Sequence, residues 1–251
     1  FMSKIKNTIS LIPARMNSSR FPGKPMALIN GKPMIGRVHD IVKKNKKINK
    51  VVVATCDKII FEYITKIGGE AVMTSKKHQR ASDRCAEALK KIEQKYKIKY
   101  DLIVMVQGDE PMITQEMLNK AIKPFNKNKS IGVVNLLSNF ENKKEYLSPN
   151  SIKVICDKNK NAIYFCRKLD ETIYNSKKII FGKQVCIIPF RRRNLIEYLN
   201  LKPSGMEIKE SIDMWRLIEN GQKVKMVKIN NLTFAVDTKK DLNKVANILG
   251  K

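Results

Sequence analysis

The 251-residue chain contains no apolar run approaching the ~18 to 20 residues that cross a bilayer, which argues against a helical membrane span. Its lysine-bearing start has only a strand's length of apolar residues before a polar loop. It lacks the longer apolar region and small-residue cleavage site of a secretion signal, so a cytoplasmic location is expected. The five cysteines, Cys56, Cys85, Cys156, Cys166 and Cys186, are odd in number, scattered and without a CxxC pair. That excludes a disulfide framework and a structural zinc site, and they are expected to pack in the core of a protein in a reducing compartment. The two histidines, His39 and His78, have no ligand partner at metal spacing, which argues against zinc or Ser-His-Asp chemistry. His39 is expected to be a packing or surface residue. The Walker pattern GxxxxGK[ST] is absent as well.

Acidic residues are also scarce: 23 Asp and Glu face 50 Lys and Arg, a net charge of +27. Such a balance makes a basic nucleic-acid-binding module a rival reading. Against it, the lysines are spread along the chain in short clusters such as residues 43–47, and aromatics are only 7%, with no stacking motif among the basic residues. A lysine-rich surface and polyanionic substrates account for the charge without nucleic acid, and no nucleic-acid or membrane partner is expected.

What is present is an alternation of strand-like and helix-like segments with no repeat or long linker. Residues 8–14 and 50–56 read as strands, the second a continuous apolar run suited to burial on both faces. Residues 33–46 place Met34, Ile35, Val38, Ile41 and Val42 at helical spacing, with Pro33 in the first turn. A helix over 59–68 ending at Gly68-Gly69 and a strand over 70–75 follow. Next come a helix over 81–96 with Ser82 as N-cap and a strand over 101–108. This βαβ alternation predicts an α/β fold with a doubly wound, mostly parallel sheet. From about Ser130 the segments become β-rich (131–139, 151–167 with a turn at 157–161, and 177–190), predicting a smaller mixed or antiparallel subregion over 130–200 within a single domain spanning 1–251. Helix over 205–221, strand over 223–229 and a terminal helix over 238–250 complete the reading.

Three constellations carry chemistry. The loop after the first strand holds Arg15, Arg20 and Lys24 around Gly23, whose lack of a Cβ lets backbone approach phosphate oxygens. Three cations in a surface loop suit a solvated surface equally well. Residues 106–111, VQGDEP, place Asp109 after a buried strand, where a carboxylate suits Mg²⁺, although a turn role suits it too. Asp237 offers a distant acidic partner, with a helix N-cap as the alternative. At the helix start in KHQRASDR, residues 77–84, Ser82 with Arg80 and Arg84 suits an anion or nucleotide base.

In order, IPARMNSSRFPGKP, INGKPMI, VVVATCD, GGEAVMTS, QGDEPMI, NAIYFCR and AVDTKKDL resemble the blocks of the 3-deoxy-manno-octulosonate cytidylyltransferases, within the sugar nucleotidyltransferases, over nearly the whole chain. The resemblance implies a Rossmann-like nucleotidyltransferase fold and a reaction of CTP with a 3-deoxy sugar acid (Kdo) to give CMP-sugar and pyrophosphate. It implies Mg²⁺ held by Asp109 and Asp237, with Arg15 and Lys24 stabilising phosphate charge. It assigns Pro13, Ala14, Arg15, Lys24, Ala54, Thr55, Ala81, Ser82 and Gln107 to the nucleotide. Arg80, Gln107, Arg167, Gln184, Glu210 and Asp213 fall on the sugar side. A homodimer formed through the β-rich part is also implied. The departures from the family pattern lie at residues 78–84, 183–190 and 210–213, which puts the identity of the acceptor at issue. A different carboxylated or phosphonate acceptor, with its acid gripped by Arg80, is the alternative within enzymes.

Overall fold

A computed structural model describes residues 5–250. Ten strands form one continuous sheet. The first is β1 (Thr8–Ala14), flanked in parallel by β4 (Lys50–Thr55) and β6 (Leu102–Val106); β5 (Glu70–Met73) extends it beyond β4. A two-residue hairpin, β2 (Leu28–Ile29) and β3 (Lys32–Pro33), stands apart and turns at Asn30-Gly31, both with positive φ.

Side chains of the central strands alternate between two packed faces, as the period of a strand requires. Ile9, Leu11, Ile103 and Met105 enter one cluster; Ile12, Leu102, Val104 and Val106 enter the other. Against the first face pack α3 (Ala81–Tyr96), α6 (Arg192–Asn200) and α8 (Met214–Glu219), through Leu89, Tyr198 and Trp215. Against the second pack α1 (Met34–Lys43), α2 (Lys58–Lys66) and α4 (Gln115–Lys127). Full burial of one such Leu or Ile side chain contributes about 1.5 to 3 kcal/mol, so each helix is held mainly by its apolar face. The doubly wound α/β expectation therefore holds.

The β-rich segment continues the same sheet. Next to β6 lies the antiparallel β11 (Ile187–Arg191), then β7 (Val133–Ser138), β10 (Ile180–Val185), β8 (Lys153–Cys156) and β9 (Ala162–Cys166), all antiparallel to their neighbours; β12 (Val224–Lys228) pairs in parallel with β7. A short helix, α5 (Lys143–Leu147), links β7 to β8, and α9 (Lys239–Leu249) closes the chain against the hairpin.

Several local expectations change. The helix over 205–221 is two helices, α7 (Gly205–Glu210) and α8, because Ser211 adopts a left-handed φ of 57° that ends the first. Ser82 is not the N-cap of α3. Arg80 holds that position without a capping side-chain bond, and the cap is supplied from the α7–α8 corner: the Asp213 carboxylate accepts the Ser82 N–H at 3.1 Å and its hydroxyl at 2.8 Å. Nor is Asp237 an N-cap, because Thr238 caps α9 in a reciprocal box with Asp241. Pro33 is the N-cap of α1 rather than in its first turn. His39, at 1% exposure, is a packing residue whose pKa burial lowers. Cys85, Cys156 and Cys166 are buried free thiols, while Cys56 and Cys186 are half-buried.

Candidate active site

The central strand β1 has parallel neighbours on both sides, reached by crossovers that run in opposite directions. Such a switch point opens a crevice at the carboxyl ends of the strands. A cleft of about 810 Å³ occupies that position, walled by the loop after β1, the turn after β6, the start of α3, the segment before β8 and the segment before α9.

The loop after β1 is folded by its own backbone. Ser18 and Gly23 both donate to the Met16 carbonyl, at 3.0 and 2.9 Å, and Gly23 reverses the chain at φ 76° before the turn that carries Lys24. Below it, the Met16 N–H donates to Asp57 at 2.8 Å, and the Asp57 N–H donates to the Thr55 hydroxyl at 3.1 Å. The end of β4 thus holds the loop up from within the core. Just past β6, Gly108 suits a close approach: a Cβ there would meet Ile35 at 3.0 Å and the Pro13 carbonyl at 3.1 Å, tight enough that a neighbour would have to shift. The turn is tied across the cleft by the Val236 N–H, which donates to the Asp109 carbonyl at 2.9 Å.

These two turns bring together residues distant in sequence. The Lys24 ammonium donates to Asp109 at 2.6 Å, to Asp237 at 3.2 Å and to the Val236 carbonyl at 3.1 Å. Burial opposes its charge, but the two carboxylates outweigh burial and raise its pKa above the ordinary lysine value. Arg20 donates to Asp237 at 2.8 Å. Arg15 is exposed at the cleft, and its guanidinium has no protein partner among the described residues, so it is free to meet an anion.

Twelve of the sequence-predicted residues line this one cleft: Pro13, Ala14, Arg15, Lys24, Arg80, Ala81, Gln107, Asp109, Arg167, Gln184, Asp213 and Asp237. Four do not. Ala54 and Thr55 are fully buried in β4, and Thr55 supports the loop from beneath through Asp57. Ser82 is fully buried under Asp213. Glu210 instead accepts the Arg167 backbone N–H at 3.0 Å, holding that arginine in place.

The side chains expected on the acceptor side are largely engaged with the protein itself. Arg80 spends its nitrogens on protein: Nη1 donates to Ser211 at 2.5 Å, Nη2 to the Glu207 carbonyl at 2.9 Å, and Nε lies 3.4 Å from the Glu207 carboxylate. It latches α7 to α3, and a bound acid would compete with those partners. Arg167 donates to the Glu210 carbonyl at 2.8 Å and the Pro149 carbonyl at 3.0 Å, leaving Nη2 without a protein partner. Gln184 is fixed by Asn135, which accepts its Nε2 at 2.6 Å.

Two groups in the cleft were not found by sequence reasoning. Glu110 is 2% exposed and burial pushes its carboxyl up to about 7, partly offset by the Cys186 N–H that it accepts at 2.9 Å. Lys183 pairs with Glu145 and donates to the Thr233 carbonyl at 2.7 Å. Both lie in segments already singled out, beside Asp109 and Gln184, but their burial leaves no mark in residue type.

The carboxylate pair also fits a hard divalent cation. Among the described residues no cluster of three or more His, Cys, Asp or Glu side chains forms a self-sufficient metal site. Asp109 and Asp237 supply two convergent carboxylates, already bridged by one cation. Mg²⁺ characteristically takes one or two carboxylates and completes its shell with water and substrate phosphates.

The model of the cytidylyltransferase family matches residues 9–230. The chain belongs to that family. Among curated proteins it is 36% identical to a 3-deoxy-manno-octulosonate cytidylyltransferase of Fusobacterium nucleatum, over 96% of each chain. It is 39% identical to one from Thermodesulfovibrio yellowstonii, over 94% of this chain and 95% of that one. Among solved structures, a CMP:2-keto-3-deoxy-manno-octonic acid synthetase complexed with CTP superposes with a TM-score of 0.86 at 30% identity, covering 98% of this chain and 99% of the other. The cleft of this cytidylyltransferase has cations on the β1 loop and carboxylates on the facing turns.

Proposed function

We propose that this cytidylyltransferase transfers CMP from CTP to 3-deoxy-manno-octulosonate or a closely related acidic sugar, releasing pyrophosphate. One observation carries the reading: Lys24, Asp109 and Asp237 converge in a cleft whose mouth presents the unpartnered Arg15. The sugar's anomeric hydroxyl attacks the α-phosphate in line, and pyrophosphate leaves. Arg15 and Lys24 hold and neutralise the triphosphate and the departing pyrophosphate. Catalysis is then positioning and electrostatics without a covalent intermediate. Asp109 and Asp237 would hold Mg²⁺, which when bound supplies charge neutralisation at the phosphates. Pro13, Ala14, Ala81 and Gln107 shape the nucleotide end. The free Nη2 of Arg167 is better placed than Arg80 to meet the acid of the acceptor.

Homodimerisation through the β-rich region is part of the same reading. Ile163, Tyr164 and Ile180 there are 52%, 38% and 41% exposed, and a partner's β-rich region would cover them. Among the described residues no helix is long and apolar enough to cross a membrane, and we place the reaction in the cytoplasm.

A pyrophosphate-release screen of four nucleoside triphosphates against a panel of sugar acids, with Mg²⁺, tests the proposal. CTP with Kdo or a near relative is expected to turn over. Turnover with UTP or dTTP but not CTP would overturn the cytidylyl assignment. Turnover only with a carboxylated or phosphonate acceptor of another kind would favour the second reading, which the departures at Gln184 and Cys186 motivate.

A further inference from the structure

Behind the acceptor wall of the cleft, the side chain of Lys153 on β8 points inward and is 1% exposed. Among the described residues it forms no ion pair. Its ammonium instead donates to three backbone carbonyls: Ser148 at 2.6 Å, Ser151 at 2.8 Å and Arg167 at 2.8 Å. Burial pulls its pKa down to about 8, so at neutral pH all three protons are still present. Glu145 and the Cys166 thiol favour the charge, Arg167 opposes it, and the Tyr146 ring lies 5.7 Å away.

The three carbonyls belong to two pieces of the cleft wall, the segment 148–151 and the start of the segment after β9, which leave the sheet side by side at the end of the β8–β9 ladder, where Lys153 pairs with Cys166. Each is tied in turn to a group facing the substrates. Asn150 accepts a bond from Arg20, which donates to Asp237 at 2.8 Å. Arg167 reaches back to the Pro149 carbonyl at 3.0 Å. Only an ammonium supplies three donors from one point. A neutral, apolar side chain of similar length would leave three inward-facing carbonyls unpaired.

We propose that Lys153 is a positioning residue for the acceptor. By clamping residues 148–151 to the Arg167 backbone, it holds Arg167 and Asn150 in register with the metal-side carboxylate Asp237. The inference rests on the reading that the wall bearing Arg167 receives the acceptor. Lys153 touches no substrate and acts only through the residues that it ties together.

The test uses Lys153→Met in the full chain, with steady-state kinetics and amide hydrogen exchange. The acceptor KM is expected to rise about 10- to 100-fold while the CTP KM stays within about twofold. A second substitution, Arg167→Met, is expected to add little once Lys153 is gone, because both act on one wall. Equal rises in both KM values, an unchanged acceptor KM, or fully additive effects of the two substitutions would overturn the proposal. If Lys153→Met does not fold, the wild-type protein decides: acceptor binding to the CTP complex is expected to slow exchange of the Ser151 and Arg167 amides, and no change there overturns the proposal. Should no acceptor be turned over at all, the functional reading fails separately. The comparison of Ser151 and Arg167 exchange between Lys153→Met and wild type, without substrate, still tests the clamp: faster exchange supports it and equal exchange overturns it.

Discussion

The ammonium of Lys24 bridges Asp109 and Asp237, at 2.6 and 3.2 Å, and so joins the loop after β1 to two carboxylates from turns far along the chain. Substituting Asp109→Asn removes half of the carboxylate pair without changing shape. Pyrophosphate release is expected to fall at least about 100-fold, the scale for loss of a preorganised electrostatic partner. The circular dichroism spectrum and melting temperature should stay near wild type. Retained activity would remove Asp109 from the reaction.

Gly23 sits at φ 76°, where a residue with a Cβ is strained, although a Cβ would meet only Met16, at 3.6 Å. Gly23→Ala is therefore a conformational change and not a clash. It should cost about 1 to 2 kcal/mol locally and raise the CTP KM by displacing Lys24. An unchanged CTP KM would show that the loop tolerates another path.

Under α3, Arg216 joins Glu207, at 2.6 and 2.7 Å, to Asp83, at 2.9 Å, with the Glu207 side chain fully buried. Arg216→Met leaves that carboxylate with only the longer 3.4 Å contact to Arg80 as counter-charge, with an expected loss of about 3 kcal/mol, the low end for a broken buried pair. Urea denaturation measures it, and an unchanged midpoint would contradict the account. Activity should fall only through loss of folded protein.

Glu87 anchors the segment before α3. Partial burial disfavours its charge, but Lys91, the Ser75 N–H and His78 outweigh that and bring its carboxyl down to about 2. A carboxyl depressed on folding stabilises above the unfolded value near 4.5, and that contribution is lost as pH falls from there toward 2. Wild type should exceed Glu87→Gln by about 1 kcal/mol at pH 6, a figure reduced for solvent screening of a quarter-exposed group. The gap should close near pH 2. A gap independent of pH would point to lost packing instead.

How far the sequence revealed the molecule depended on the distance over which each feature is determined. β1, β4, β6 and α3 were legible because apolar periodicity and local punctuation fix them. The break at Ser211 was not, because its reason is tertiary: the corner brings Asp213 to the open end of α3, where it caps Ser82. Helix α4 escaped because Pro124 lies inside it. In the cleft, Asp109 and Asp237 were legible as carboxylates at turns. Arg80 lines the same cleft and Glu210 does not, and their bonds to Ser211 and Arg167 are made by folding and leave no trace in residue type. Lys153 gave no signal, since a lysine in a strand ordinarily reads as surface.

The central claim is most directly tested by ³¹P NMR of the purified protein with CTP, Kdo and Mg²⁺. The account predicts loss of the triphosphate signals with equal formation of pyrophosphate and of one phosphodiester joining cytidine to the anomeric carbon of the sugar. Intact CTP, or hydrolysis to free CMP with no sugar diester for any acid in the panel, would contradict it.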